Sequence, residues 1–289
     1  MFGNFQLKGR ESIMKNLRTQ SNQNTDSFKV LFIGNSYSDD TIQWAWQIAT
    51  SAGKNNVVIA DVYHGGCTIN QHIEFSKTTE PKYIFRVSDD GEVRSTSDGE
   101  NYNRRAEDGI LYDDWDWIVF QQGSCDSGFA EYYDNLPELI AYVRARATNP
   151  NVRFAFNMTW AYANGSTNPW FYRYNNSQEI MYDGILNAVE TKVLPNKSIE
   201  VLIPNGTAVQ NARTSFVGDN LTRDGADHMT WDFGRYIAGL TFVSALTGVS
   251  VDDIAWAPNT LSEVQIAVAK ESVKNALANP FEVTQSKYI

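Results

Sequence analysis

Residues 29–38 read Lys-Val-Leu-Phe-Ile-Gly-Asn-Ser-Tyr-Ser, and this stretch decides the fold. Lys29 to Ile33 is a short, continuous apolar run closed by Gly34, the pattern of a strand buried on both faces in a parallel sheet. The segment Asp39 to Ala52 follows, with Ile42, Trp46 and Ala49 at helical spacing and Gly53 as a stop. Strand, turn, helix is the unit of an α/β protein.

The unit recurs along the chain. Val57–Tyr63 is a second strand, running into Gly65-Gly66, and Trp115–Gln121 is a third, running into Gly123. Leu139–Arg146 reads as a helix with Pro137 near its first turn. Val152–Met158 is a fourth strand, Gln178–Val193 a helix, and Ile199–Ile203 a fifth strand stopped by Pro204. Thr230–Thr247 is a strong helix with Phe233, Tyr236, Ile237, Leu240 and Val243 on one stripe, and Leu261–Ala278 is a terminal helix. Short apolar strands alternating with helices predict a parallel sheet covered on both faces. The polar stretch 77–113 departs from this rhythm. We read it as an insertion decorating the same domain, with a hairpin over Tyr83–Arg94 around Asp90-Gly91. Residues 1–27 read as a polar lead-in, and 28–289 as one domain.

Composition narrows the function. The net charge of -10, with no basic block, argues against nucleic acid and anionic membranes as partners. With 42% hydrophobic and 20% charged residues the chain is globular. No apolar run approaches the roughly 20 residues that span a bilayer. The first residues carry no apolar signal core, so the expected location is cytoplasmic, or periplasmic or secreted if a signal has been removed. Three histidines, His64, His72 and His228, and two cysteines, Cys67 and Cys125, offer no metal-ligand spacing and no disulfide framework, so no metal is expected. Two separate thiols are expected rather than a bridge.

In open parallel sheets, ligands sit beyond the C-terminal strand ends. Ser36 follows the first strand, at a turn into a helix whose amides favour a developing anion. Taken alone it reads first as an N-cap serine. Gly65-Gly66 follows the second strand, Gln121-Gln122-Gly123-Ser124 the third, and Thr159-Trp160-Ala161-Tyr162 the fourth. Gly66 can bring a backbone N–H close to a substrate oxygen, and the Gln122 amide can donate to the same oxygen. Downstream, Arg223-Asp224-Gly225-Ala226-Asp227-His228 offers a base and an acceptor to orient it. It also reads as an Asp-Gly turn ahead of a helix.

Together these residues resemble the SGNH hydrolases, also called GDSL-like esterases and lipases. Gly34-Asn35-Ser36-Tyr37-Ser38 matches the first block, Gly66 the second, and Asp224 and His228 the last. The order is kept over about residues 29–250. Gln121-Gln122-Gly123-Ser124, the Thr-Trp-Ala-Tyr segment and Gly234–Gly248 are similar to a bacterial branch of that group, which includes gut proteins encoded beside carbohydrate-processing genes. The resemblance implies a flavodoxin-like three-layer α/β/α sandwich with a five-stranded parallel sheet of order 2-1-3-4-5. It implies a cofactor-independent ester hydrolase with Ser36 as nucleophile, His228 as base and Asp224 as its orienting acid. The oxyanion hole would be the N–H groups of Ser36 and Gly66 plus a third-block donor. That block usually supplies an Asn; here Gln122 is the first choice and Ser124 the second. The acid usually stands three residues before the His, whereas Asp224 stands four before, which leaves a Ser-His dyad as an alternative. The expected substrate is a short acyl ester, acetyl above all, on a carbohydrate or other small molecule, with Tyr37, Trp160 and Tyr162 placed to stack on a sugar ring. A carbohydrate-binding module with a degenerate site, and a lipase or thioesterase, are the rival readings.

Overall fold

The computed structural model describes residues 26–96, 101–223, 225 and 227–289. A seven-stranded sheet runs through it. The strands are β1 Ser27–Gly34, β2 Asn56–Tyr63, β3 Ile84–Ser88, β4 Arg94–Ser95, β5 Trp117–Gln121, β6 Arg153–Asn157 and β7 Val201–Ile203, in the order β4-β3-β2-β1-β5-β6-β7. The five strands read from the apolar runs all pair in parallel, in the expected 2-1-3-4-5 order. The expected strand count of five is therefore corrected to seven. The additions are β3 and β4, the hairpin of the inserted segment, which joins the free edge of β2 antiparallel. A hairpin there covers an edge that would otherwise expose unpaired backbone groups.

Why β1 is a continuous apolar run is plain from its two faces. Val30 and Phe32 point into one core with Val57, Val119 and Ile203. Leu31 and Ile33 point into the other with Val62, Ile118 and Phe156. Side chains alternate across a strand, so a strand buried on both faces must be apolar at every position. The first core is closed by the helices α1 Ser36–Ile42, α2 Ala45–Ser51, α7 Asn205–Arg213, α8 Phe233–Thr247 and α9 Glu263–Ala278. The second is closed by α3 Ile69–Ser76, α4 Ala106–Ile110, α5 Leu136–Arg144 and α6 Gln178–Ala188. Phe242 of α8 meets Phe32 edge-on at 5.0 Å.

Helices α3, α4 and α7 were not read from the sequence, and two of the helices that were read differ from expectation. The run read as one helix over 39–52 is two, broken at Gln43 and Trp44. Their side chains reach outward there: Gln43 Oε1 accepts from Arg235 Nη1 at 2.7 Å, and Trp44 Nε1 donates to the Trp231 carbonyl at 3.0 Å. In α8 every residue except Ala245 and Thr247 is buried, not one stripe. A helix apolar all round is the signature of burial between layers. The lead-in 1–27 lies almost wholly outside the described residues. Among those described, no helix is long and apolar enough to cross a membrane.

His72 of α3 is buried against Tyr83, with rings stacked 5.7 Å apart and Nδ1 2.9 Å from the phenol oxygen. Burial, aided by the nearby His64, pushes its pKa down to about 3. In the unfolded chain it titrates near 6.5, so between pH 6.5 and about 3 the unfolded state binds the extra proton. Stability contributed by neutral His72 is thus present above pH 6.5 and lost as pH falls, at up to about 1.4 kcal/mol per unit. Acid titration of the denaturant midpoint should show this slope, and His72→Phe should flatten it. An unchanged slope in the variant would contradict the assignment.

Candidate active site

The C-terminal strand ends are joined by one buried chain of amides. Asn205 Nδ2 donates to Asn157 Oδ1 at 2.9 Å, Asn157 Nδ2 to Gln121 Oε1 at 3.0 Å, and Gln121 Nε2 to Asn35 Oδ1 at 2.8 Å. Asn35 Nδ2 closes the chain on the carbonyls of Cys67 at 2.8 Å and Gln122 at 3.3 Å. All four side chains are at most 1% exposed. Buried amides keep their place only when bonded, so this ladder fixes the loops after β1, β2, β5, β6 and β7 in one register. Gly123 tightens the join: a Cβ there would stand 2.9 Å from the Gly66 carbonyl oxygen.

Ser36 opens α1 directly after this junction and is half-buried. Asn35 caps the helix: its Oδ1 accepts from Tyr37 N at 3.0 Å, and its carbonyl accepts from Ser38 N and Asp39 N. The N-cap is therefore Asn35, and Ser36 is the first helical residue. Gly66 is exposed in the adjoining loop at φ +66°, a conformation glycine adopts without strain. His228 stands beside an antiparallel bridge. The bridge pairs Thr222 with Met229, and Thr230 N on the Leu221 carbonyl at 2.8 Å and Arg223 N on the His228 carbonyl at 2.9 Å flank it. The His228 side chain is 33% exposed. Asp224 lies outside the described residues. Asp227, adjacent to His228 in the chain, places Oδ1 3.9 Å from His228 Nδ1, an ion-pair distance longer than a hydrogen bond.

Two sequence readings are corrected. Gln122 is 1% exposed, and its amide braces loops: Nε2 donates to the Tyr132 carbonyl at 2.9 Å, while Oε1 accepts from Ile69 N and Gly123 N, both at 2.9 Å. A side chain bonded in this way is framework, not an open donor. Ser124, the second choice, is half-buried, and its Oγ accepts from Tyr162 OH at 2.9 Å. Tyr37, Trp160 and Tyr162 are all 0% exposed and present no face to a sugar. Tyr37 and Trp160 stack on each other at 4.2 Å, and Trp160 Nε1 donates to the Asp227 carbonyl at 2.7 Å. They form the wall behind the site, since large aromatics gain most from full burial. Burial, then the Asp227 carboxylate and the Tyr162 phenol, push the Tyr37 hydroxyl well above its ordinary value and keep it neutral. The thiols of Cys67 and Cys125 are free, as expected.

An ion-pair network on α1 was not foreseen. Asp61 of β2 accepts from Arg86 Nε at 3.1 Å, Arg86 Nη2 at 2.8 Å and Ser38 Oγ at 3.0 Å. Asp39 bridges Arg86 and Arg235 at 2.6 and 2.9 Å. Asp40 holds Arg235 and Arg223 at 2.8 and 2.9 Å. Asp40 and Asp61 are fully buried; burial pushes both carboxyls upward in pKa, and the adjacent guanidiniums pull them back. The available signal is Arg235, a lone cation within the apolar run of α8, which has to be paired if buried.

Residues 29–276 match the model of a family described as "Domain of unknown function (DUF4886)". The chain belongs to the DUF4886 family. A crystal structure of a DUF4886 family protein from Bacteroides uniformis is 33% identical, with a TM-score of 0.83, covering 90% of this chain and 98% of that one. A candidate SGNH hydrolase from Slackia heliotrinireducens is 14% identical, with a TM-score of 0.46, over 76% of this chain and 99% of that one. A gut microbial diltiazem-metabolizing enzyme is 14% identical, with a TM-score of 0.44, over 78% of this chain and 48% of that one. Curated proteins gave no match. For this DUF4886 protein the site's chemistry therefore has to be argued from its own residues.

Proposed function

We propose that this DUF4886 protein is a serine ester hydrolase acting through an acyl-enzyme. The observation that carries the reading is the junction at Asn35. One buried amide ties the loop after β2 and the loop after β5 to the turn that bears Ser36, while Asp40, one turn further along α1, holds Met229, the residue after His228, at 2.7 Å. Nucleophile, glycine-bearing loop and base thus belong to one fixed assembly, as acyl transfer requires.

In this reading His228 takes the Ser36 proton as Oγ attacks the ester carbonyl. Asn35 occupies the next three N–H groups of the first turn and leaves the Ser36 N–H for the oxyanion. Gly66 N–H is the second donor. Ser124 is the third in place of Gln122: because Tyr162 donates to its oxygen, its own proton is available to donate. The alcohol leaves with the proton held by His228, and water, activated by the same imidazole, releases the acid. Asp224, or a backbone carbonyl in a Ser-His dyad, orients the ring.

The substrate we assign is a short acyl ester, acetyl above all, on a carbohydrate. With Tyr37, Trp160 and Tyr162 buried, the surface that supports a saccharide is a groove of about 630 Å³ whose lining includes Thr230 and Trp231, shortly after His228 in the chain. Trp231 is 60% exposed and Phe216 54%, with Asn220, Asp232, Thr260 and Gln265 around them. The guanidiniums of Arg223 and Arg235 each lie 4.3 Å from the Trp231 ring. Broad aromatic faces rimmed by amide and carboxylate groups suit a polyhydroxylated ring better than an acyl chain. A series of aryl esters should give an acetate preference of at least about tenfold over octanoate, and a long-chain preference would move the reading to a lipase or thioesterase. On an acetylated oligosaccharide, Trp231→Ala should raise KM about tenfold, well beyond any change in KM on an aryl acetate. An unchanged KM on the oligosaccharide would remove the groove from the account.

A further inference from the structure

We propose that Asp40 is a positioning residue for the base: its buried carboxylate sets where His228 stands relative to Ser36, acting through Met229 and Arg223. The inference rests on the hydrolase reading above. Asp40 lies four residues after Ser36 on α1, one turn further along the same face. It is 0% exposed. Oδ2 accepts from Met229 N at 2.7 Å, the backbone group next to His228. Oδ1 accepts from Arg223 Nη1 at 2.9 Å and from Arg235 Nε at 2.8 Å.

Arg223 returns to the same loop. Its backbone N donates to the His228 carbonyl at 2.9 Å, and its Nη1 donates to the Met229 carbonyl. One carboxylate thus grips both sides of the Thr222–Met229 bridge, at residues 223 and 229, and joins them to the helix that starts with the nucleophile. Arg235 locks this carboxylate to α8, and Arg235 Nη2 continues to Asp39 at 2.9 Å. The charge is matched, with Asp39, Asp40 and Asp61 facing Arg86, Arg223 and Arg235. The chemistry demands an ionised carboxylate: three donors converge on it from three directions. An asparagine would turn its NH2 toward one of them, and a second donor cannot replace an acceptor. A loop displaced by about 1 Å costs on the order of a hundredfold in rate without loss of binding groups.

The experiment uses Asp40→Asn, Arg223→Met and Arg223→Lys, each compared with the unmodified protein at a temperature where circular dichroism shows it folded. Readouts are kcat and KM on an aryl acetate and the second-order rate of Ser36 phosphonylation by a fluorophosphonate. Asp40→Asn should lower kcat and the labelling rate by about a hundredfold with KM within about twofold. Arg223→Met should lower both by about tenfold, with partial recovery in Arg223→Lys. Arg223 is partly exposed, so its variants carry the test if Asp40→Asn does not fold. Folded variants that melt earlier but keep the native kcat and labelling rate would overturn the proposal and leave a structural ion pair. Ester turnover that persists in Ser36→Ala, or an unmodified protein that takes no label, would overturn the hydrolase reading itself.

Discussion

Replacing Ser36 by Ala should lower turnover of short-chain aryl esters by about four to six orders of magnitude, with the fold intact. Ser36 packs at the rim of the junction, half-buried at the first position of α1, and the helix is capped by Asn35. Removal of its hydroxyl therefore leaves the amide ladder and the cap in place. The remaining rate would come from the Ser36 and Gly66 N–H groups and from binding. His228→Ala should cost a similar factor. The double variant should be little worse than either single one, because nucleophile and base act as a unit. Additive losses would mean that the two residues act separately, and steady-state kinetics on the three variants decides the matter.

The largest stability effect should come from Asp61→Ala. Asp61 is fully buried on β2, and Arg86 donates to it through Nε and Nη2 while stacking over the Tyr63 ring at 4.1 Å. Truncating the carboxylate leaves a guanidinium with only 15% of its side chain exposed and Asp39 as its remaining acid partner. Breaking a buried pair from one side typically costs about 3–5 kcal/mol. For a chain of this size that lowers the midpoint by about 10 °C. The double change Asp61→Leu with Arg86→Met removes both charges and should recover most of the loss. Chemical denaturation of the unmodified protein, Asp61→Leu, Arg86→Met and the double variant closes the cycle. A single-variant loss below about 1 kcal/mol would show that Arg86 is solvated enough to stand without Asp61.

The parallel sheet was legible because its strands are apolar on both faces. Lys29–Ile33 has no other low-energy home, and the same holds for the runs that became β2, β5, β6 and β7. The Asp90-Gly91 turn signal marked the hairpin, but a sequence does not say which edge a hairpin joins, so the added strands were not counted in the sheet. The helix α7 went unread. Its sequence Asn205–Arg213 is polar by composition, although most of it is buried, and its amides are spent on partners such as Asn157 and Ser272. Position past a strand end pointed to the candidate site; it did not settle roles within it. Gln121 and Gln122 are neighbours on opposite faces: one joins the amide ladder and the other braces the loop at Tyr132. Their identical side chains carry no mark of this. The aromatics near Ser36 were misplaced for a related reason. Tyr37 and Trp160 can serve as platform or as wall, and only packing decides: the two stack on each other, whereas Trp231 stays 60% exposed with two guanidiniums against its ring.

The most direct test of the central claim is to treat the folded protein with a fluorophosphonate and map the modified peptide. The account predicts a single adduct on Ser36, formed at a measurable second-order rate and absent from His228→Ala. Labelling at another residue, labelling that persists without His228, or no labelling of a folded protein would contradict it.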